Sequence, residues 1–354
     1  MARIDSFLRL VVEQRASDLH LRAGYVPFVR YVGELHPLPF RVLSQEEVLR
    51  LLSEIMNAED TERFRAGEET DFAYTLSDEG GRFRAHVFHH SNGAGAVFRV
   101  VPRDAPTLDG LQMPPVLRSI AKETSGLVLV TGPTGSGKTT TLAAFINEIN
   151  IGFQKHIITI EDPIEFVHEP KKSVITQRQV GIHAESFASA LKSALREAPD
   201  VIVVGEMRDL ETVQLALSAA ETGALVFATL HTRNSARAID RILDICSEES
   251  IEQVRNGLAV SLRAVVAQCL CRQVSGDALV PAVEVLLNGH AVAHMIRESK
   301  LHQLESWLRS PERRQSGMQS LEGHAAELCE QGIISREEAA RIANQGESSG
   351  STAA

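Results

Sequence analysis

Gly132-Pro133-Thr134-Gly135-Ser136-Gly137-Lys138-Thr139 is the stretch on which the fold turns. Its spacing is G-x-x-x-x-G-K-T, the pattern of a loop that cradles phosphate. The flanks agree. Leu127 to Val130 is a short apolar run, as a buried strand would be, and Thr139 to Ile149 carries Leu142, Ala143, Ile146 and Ile149 at helical spacing. Strand, glycine loop and helix start together aim backbone N–H groups and a helix dipole at an anion. Gly132, Gly135 and Gly137 let the backbone turn and approach a ligand closely. Lys138 is expected to reach the β- and γ-phosphates of ATP, and the Thr139 hydroxyl to bind Mg²⁺. Pro133, Thr134, Ser136 and Thr140 complete the expected nucleotide contacts. Chance alone produces the four fixed positions in roughly one chain in a hundred of this length, and the flanks make chance a poor explanation.

Further apolar runs alternate with helical patterns: Ile157–Ile160, Val201–Val204 and Leu225–Leu230. That alternation implies an α/β domain with a mainly parallel sheet and helices on its faces. Ligands of such sheets bind beyond the carboxyl ends of the strands. The residues just past those ends are Glu161-Asp162-Pro163-Ile164-Glu165, Gly205-Glu206 and His231. Singly, such residues are as often helix caps or solvated loop groups. Together with a phosphate loop they form the set that phosphoryl transfer needs: phosphate donors, metal ligands and a group that orients water. The strand that would end in a magnesium-binding aspartate ends in Gly205, and Asp200 lies at its start. Glu206 is therefore the expected base or water-positioner, and the metal work falls to Thr139 and Glu161.

The 354 residues allow two domains, and 44% apolar with 23% charged residues is ordinary for a soluble globular protein. A net charge of −10 disfavours a broad nucleic-acid footprint, so no nucleic-acid partner is expected. No apolar run is long enough to cross a bilayer and nothing resembles a signal peptide, so the cytoplasm is the expected compartment. Cys246, Cys269, Cys271 and Cys329 make no C-x-x-C pair and read as free thiols. Residues 1–101 read as an α+β domain with a mostly antiparallel sheet. Its strands are expected over Asp18–Leu21, Pro27–Leu38 (a hairpin), Thr70–Leu76, Arg82–His89 and Ala94–Val101, with helices at Ile4–Val12 and after the capping box Ser44–Glu47. The proline-rich stretch 102–115 reads as a linker and 116–345 as the second domain, mostly helical from Glu249 onward. A small-residue tail, 346–354, reads as disordered.

Gly132–Thr139, Ile158–Phe166, Asp200–Asp209 and Thr222–Thr232 resemble the secretion ATPases, with their P-loop, aspartate box, atypical Walker B motif and histidine box. The likeness is nearest to the type IV pilus retraction (PilT-like) branch and covers nearly the whole chain. It implies a PAS-like N-terminal domain, a RecA-like ATPase domain with C-terminal helices, and a homo-hexameric ring. It also implies attachment to an inner-membrane platform protein of the pilus machine, and hence peripheral association with that membrane from the cytoplasmic side. By the same resemblance, Lys138 and Thr139 hold phosphate and Mg²⁺, Glu161 belongs to the metal and water shell, and Glu206 is the catalytic glutamate. His231 senses the γ-phosphate side, and Arg84 and Arg99 reach the phosphates when the N-terminal domain closes. Two departures are visible: Ala224 replaces a histidine of the histidine box, and Ala293 and His294 replace arginine and asparagine in a C-terminal motif at Ala291–Glu298. The expected function is ATP-driven pilus retraction. A motor for another cargo, protein or DNA, and an accessory subunit that binds ATP without hydrolysing it are the alternatives. Lys138 and Glu206 both being present weighs against the latter.

Overall fold

The structure is a computed structural model and describes residues 2–77, 81–101, 104–276, 278–310, 312 and 315–347. It divides into two compact units, Met1–Asp104 and Ala105–Ala354.

The first unit carries a six-stranded antiparallel sheet in the order β3-β2-β1-β6-β5-β4. Its strands are β1 (Asp18–Arg22), β2 (Phe28–Tyr31), β3 (Glu34–Pro37), β4 (Thr70–Thr75), β5 (Arg82–His90) and β6 (Gly93–Val101). Alternation along β5 explains its placing: Phe83, Ala85 and Val87 are buried, while Arg82, Arg84, His86 and Phe88 form the other face. Helices Asp5–Glu13 and Gln45–Ser53 bury Leu8, Val11, Val48 and Leu52 in the same core. The capping box at Ser44 is formed as expected: its hydroxyl accepts from the Glu47 N–H while the Glu47 carboxylate accepts from the Ser44 N–H. Helix Ala58–Arg65, capped by Asn57, is additional to the expected elements.

The second unit is built on a seven-stranded sheet in the order β13-β12-β7-β11-β10-β8-β9. These strands are β7 (Gly126–Thr131), β8 (His156–Glu161), β9 (Val174–Gln179), β10 (Val201–Val204), β11 (Leu225–Leu230), β12 (Leu262–Arg272) and β13 (Leu279–Leu287). Only β13 runs antiparallel. Every residue of β7, β10 and β11 is buried, as expected of strands covered on both faces. Helices Lys138–Gly152, Phe187–Ala194, Leu210–Glu221, Ser235–Asp244 and Ile251–Ser261 cover those faces.

After Glu249 helices Ile251–Ser261, His290–Arg297, Leu304–Leu308, Leu321–Glu330 and Arg336–Glu347 agree with the expectation of a mostly helical chain, but two strands depart from it. Leu262–Arg272 and Leu279–Leu287 are long paired strands. Val265, Val266, Val280, Val283 and Val285 are buried and β-branched, a composition that suits a pleated sheet better than a helix. β13 pairs with its chain neighbour β12, but the other partner of β12, β7, lies more than a hundred residues back, out of reach of any local pattern. Within the stretch read as a linker, Leu108 and Met113 pack in the second unit's core, and Pro102 and Arg103 lie outside the described residues. Of the tail, residues 348–354 also lie outside them; the last helix runs Arg336–Glu347.

Two buried histidines give the second unit a pH-dependent stability. Burial lowers His324 to about 4 and likewise His168, with Lys171 adding to the latter. His324 Nδ1 accepts from the Val283 N–H at 3.0 Å, which requires a neutral ring. Both folded values lie below the unfolded value near 6.5, so the unfolded chain takes up these protons first. Stability is complete above that value and is lost as pH falls toward 4, by on the order of 2 kcal/mol per histidine at pH 5. Melting temperatures should fall steadily between pH 7 and 5, and His324→Asn, which keeps an acceptor, should flatten the curve. An unchanged melting temperature over that range would mean that these rings reach water.

Candidate active site

The carboxyl edge of the second sheet collects the residues singled out above. β7 ends in Thr131, and the phosphate loop follows directly. A Cβ on Gly132 would stand 2.4 Å from the backbone oxygen of Gln268 and 2.5 Å from Ser136 Oγ, so no other residue fits there. Gly137 caps helix Lys138–Gly152 with φ +85°, the left-handed conformation that lets the loop run straight into the helix. Thr131 Oγ1 donates to the Thr232 carbonyl at 2.7 Å and accepts from the Thr232 N–H at 2.9 Å, tying the ends of β7 and β11 together.

Lys138 is buried at 8% exposure. Its Nζ donates to the carbonyls of Gly132 at 2.8 Å and Pro133 at 3.0 Å, and stands 3.4 Å from His231 Nδ1. Burial lowers its pKa, against the pull of Glu206 and Glu165. The other ring nitrogen of His231, Nε2, is 3.2 Å from Glu206 Oε1, and Arg208 Nη2 meets Glu206 Oε2 at 2.6 Å. Lysine, histidine, glutamate and arginine thus form one line across the ends of β7, β11 and β10. Burial raises the Glu206 pKa, but the hydrogen bond from Arg208 and the charges of His231 and Arg208 outweigh it. The net shift is downward, so Glu206 is ionised at neutral pH. The Thr229 hydroxyl donates to the Gly205 carbonyl and holds the base of this loop.

Glu161 sits one strand further out, at the end of β8, which pairs with β10. Its Oε1 accepts from Thr159 Oγ1 at 2.6 Å and Gln177 Nε2 at 3.0 Å. Burial raises its pKa despite these bonds. The strand order puts it three strand positions from β7 and Glu206 only two, about 14 and 10 Å by strand spacing. Arg84 and Arg99 face each other across β5 and β6 in the first unit. Arg84 pairs with Asp71 at 3.3 Å, and Arg99 with buried Asp18 at 2.8 Å. Ala224 precedes β11 at the opposite edge from His231, about 20 Å away by strand rise. That departure therefore does not touch the phosphate side.

The loop's own groups fit a polyphosphate. Ser136 Oγ is buried without a partner, and the hydroxyls of Thr139 and Thr140 make no hydrogen bond among the described residues. The Lys138 ammonium has no carboxylate within ion-pair distance among them. Surplus donors and an unpaired buried cation are what an anion would complete. Among the described residues no cluster of three metal-binding side chains forms. A hydroxyl and one carboxylate suit a Mg²⁺ that is carried mainly by phosphates and water. Two site residues escaped the sequence reading. Arg208 lies two residues past Glu206 within Asp200–Asp209, and that spacing is its signal in the sequence. Gln268 lies on β12, within the stretch expected to be mostly helical.

A parallel sheet with a phosphate loop, an ionised glutamate and a histidine converging on one edge is the architecture of a RecA-like nucleoside triphosphatase. The type II/IV secretion system protein family model matches residues 1–345. The type IV pilus retraction ATPase PilT of Pseudomonas aeruginosa is 44% identical over 336 residues, 95% of this chain and 96% of that protein. A twitching motility protein of Neisseria gonorrhoeae is 45% identical over 343 residues, covering 97% and 91%. A crystal structure of the pilus retraction motor PilT with bound ADP superposes with a TM-score of 0.86 at 41% identity, covering 97% of each chain. The chain belongs to the type II/IV secretion system family and is a PilT-like ATPase within it. Among the described residues no helix is long and apolar enough to cross a membrane.

Proposed function

We propose that this chain is the subunit of a homo-hexameric motor that hydrolyses ATP to retract a type IV pilus, and so drives twitching motility. The observation that carries the proposal is the line Lys138–His231–Glu206–Arg208 at the mouth of the phosphate loop. Relatives named for pilus retraction and twitching, similar over nearly the whole chain, supply the cargo.

The chemistry follows from the groups in place. Lys138 and the N–H groups of the loop bind the β- and γ-phosphates and offset their charge. Glu206 is ionised and would orient the water that attacks the γ-phosphorus. With its pKa lowered it is a weak base, so it orients that water and takes its proton late, once phosphoryl transfer has begun. His231 touches both Lys138 and Glu206 and links the phosphate to the water-orienting group. Thr139 would hold Mg²⁺ directly and Glu161, further out, would act on it through its water shell; the ion would supply charge to offset the phosphates. Arg84 and Arg99 would supply guanidinium contacts to the phosphate, exchanging Asp71 and Asp18 for a more highly charged partner. The ring would act at the cytoplasmic face of the inner membrane through a platform protein of the pilus machine.

Deletion of the gene tests the proposal. The expected outcome is cells with excess surface pili that neither retract nor twitch, restored by the parent gene and not by one encoding Glu206→Gln. Normal piliation and twitching after deletion would assign the motor to another cargo.

A further inference from the structure

β12 does not stop where β7 stops. The register pairs Ala267 with Thr131, the last residue of β7, and β12 then continues to Arg272. Gln268 and Leu270 therefore run beside the phosphate loop. Leu270 Cδ2 lies 3.5 Å from where a Cβ of Gly137 would stand, and the Gln268 backbone oxygen closes off Gly132. The Gln268 side chain turns inward and is 2% exposed. Its Nε2 donates to the Ser136 carbonyl at 2.5 Å, and its Oε1 accepts from Thr141 Oγ1 at 2.8 Å. One amide thus holds the loop and the first turn of its helix together.

We propose that Gln268 is a positioning residue for the nucleotide, fixing the phosphate loop through the Ser136 carbonyl and the Thr141 hydroxyl. The proposal rests on the reading of Gly132–Thr139 as the phosphate site. Its physical basis is the planarity of the peptide unit. The carbonyl of Ser136 and the N–H of Gly137 belong to one trans peptide and point in opposite directions. Pinning the carbonyl toward β12 turns the Gly137 N–H away from β12, toward the hollow of the loop. A glutamine amide offers one donor end and one acceptor end, matching a carbonyl on one side and a hydroxyl on the other. Without it, the buried Ser136 carbonyl loses its partner, and the peptide gains by rotating to find another. Gln268 itself needs no contact with substrate for this.

Four variants of the full chain test the inference, with Lys138→Ala alongside. Gln268→Met keeps length without either bond, and Gln268→Glu sets an oxygen against the Ser136 carbonyl. Thr141→Val removes the anchoring hydroxyl, whereas Thr141→Ser keeps it. ADP affinity by titration, kcat and KM for ATP, and the melting temperature are measured for each. Gln268→Met and Gln268→Glu should weaken ADP binding by about tenfold or more and lower kcat by at least as much, since a loop misplaced by about 1 Å costs up to ~100-fold. Thr141→Val should fall several-fold in both, and Thr141→Ser should restore both, at a melting temperature close to the parent's. Folded Gln268→Met and Thr141→Val proteins with ADP affinity, KM and kcat within about twofold of the parent would overturn the proposal. If Gln268→Met does not fold, the Thr141→Val and Thr141→Ser pair decides. If Lys138→Ala also binds and turns over normally, the phosphate-site reading itself fails. If Lys138→Ala alone is impaired, only the role of Gln268 fails.

Discussion

Glu206→Gln is expected to bind ATP about as well as the parent and to hydrolyse it on the order of 100- to 10,000-fold more slowly, the usual worth of a positioned acid–base group. The amide has the same shape and its one oxygen can still accept from Arg208, while its NH2 end takes the place of the oxygen that faced His231. Arg208 is 63% exposed and finds water if its partner weakens, so folding should survive. What the amide lacks is the capacity to accept a proton from the attacking water. That group matters mainly in the transition state, so kcat falls while affinity holds. Steady-state turnover and a nucleotide titration on the same preparation check it. Near-normal turnover would remove Glu206 from the chemistry and make Glu161 the candidate, although Glu161 lies one strand further from the loop.

Lys138→Ala should fail differently, losing binding and turnover together. Its ammonium is held by two backbone carbonyls at the loop's start, in a site with no ion-paired carboxylate among the described residues. Two charge-assisted hydrogen bonds to phosphate, each worth about 1.5–3 kcal/mol, correspond to a loss of ~100-fold or more in affinity. Hydrolysis should become undetectable, because the same charge offsets what develops on the phosphate in the transition state. A variant that still bound ADP with parental affinity would show that the ammonium is held away from the nucleotide. The contrast between binding kept in Glu206→Gln and binding lost in Lys138→Ala is the signature of a hydrolytic phosphate-loop site.

Most of the catalytic edge is legible in the chain itself, because each of its parts is local. A phosphate loop is a contiguous run, flanked by a strand and a helix that announce themselves by period. Glu161, Glu206 and His231 each follow an apolar run directly, and strand ends in a parallel sheet share one edge whatever the strand order. Six N-terminal strands and the Ser44 capping box follow from alternation and cap chemistry in the same way. Tertiary structure alone decided what depends on distant partners. Leu262–Arg272 and Leu279–Leu287 are apolar runs without a diagnostic period; the first becomes a strand because β7 offers an edge to pair with, and the second pairs in turn with the first. Asp18 and Asp71, the partners of Arg99 and Arg84, are set by the register of the first sheet, and Asp18 lies 81 positions from Arg99. Gln268 stands 132 positions from Ser136 and 127 from Thr141, and only the parallel pairing of β12 with β7 brings its amide to the phosphate loop.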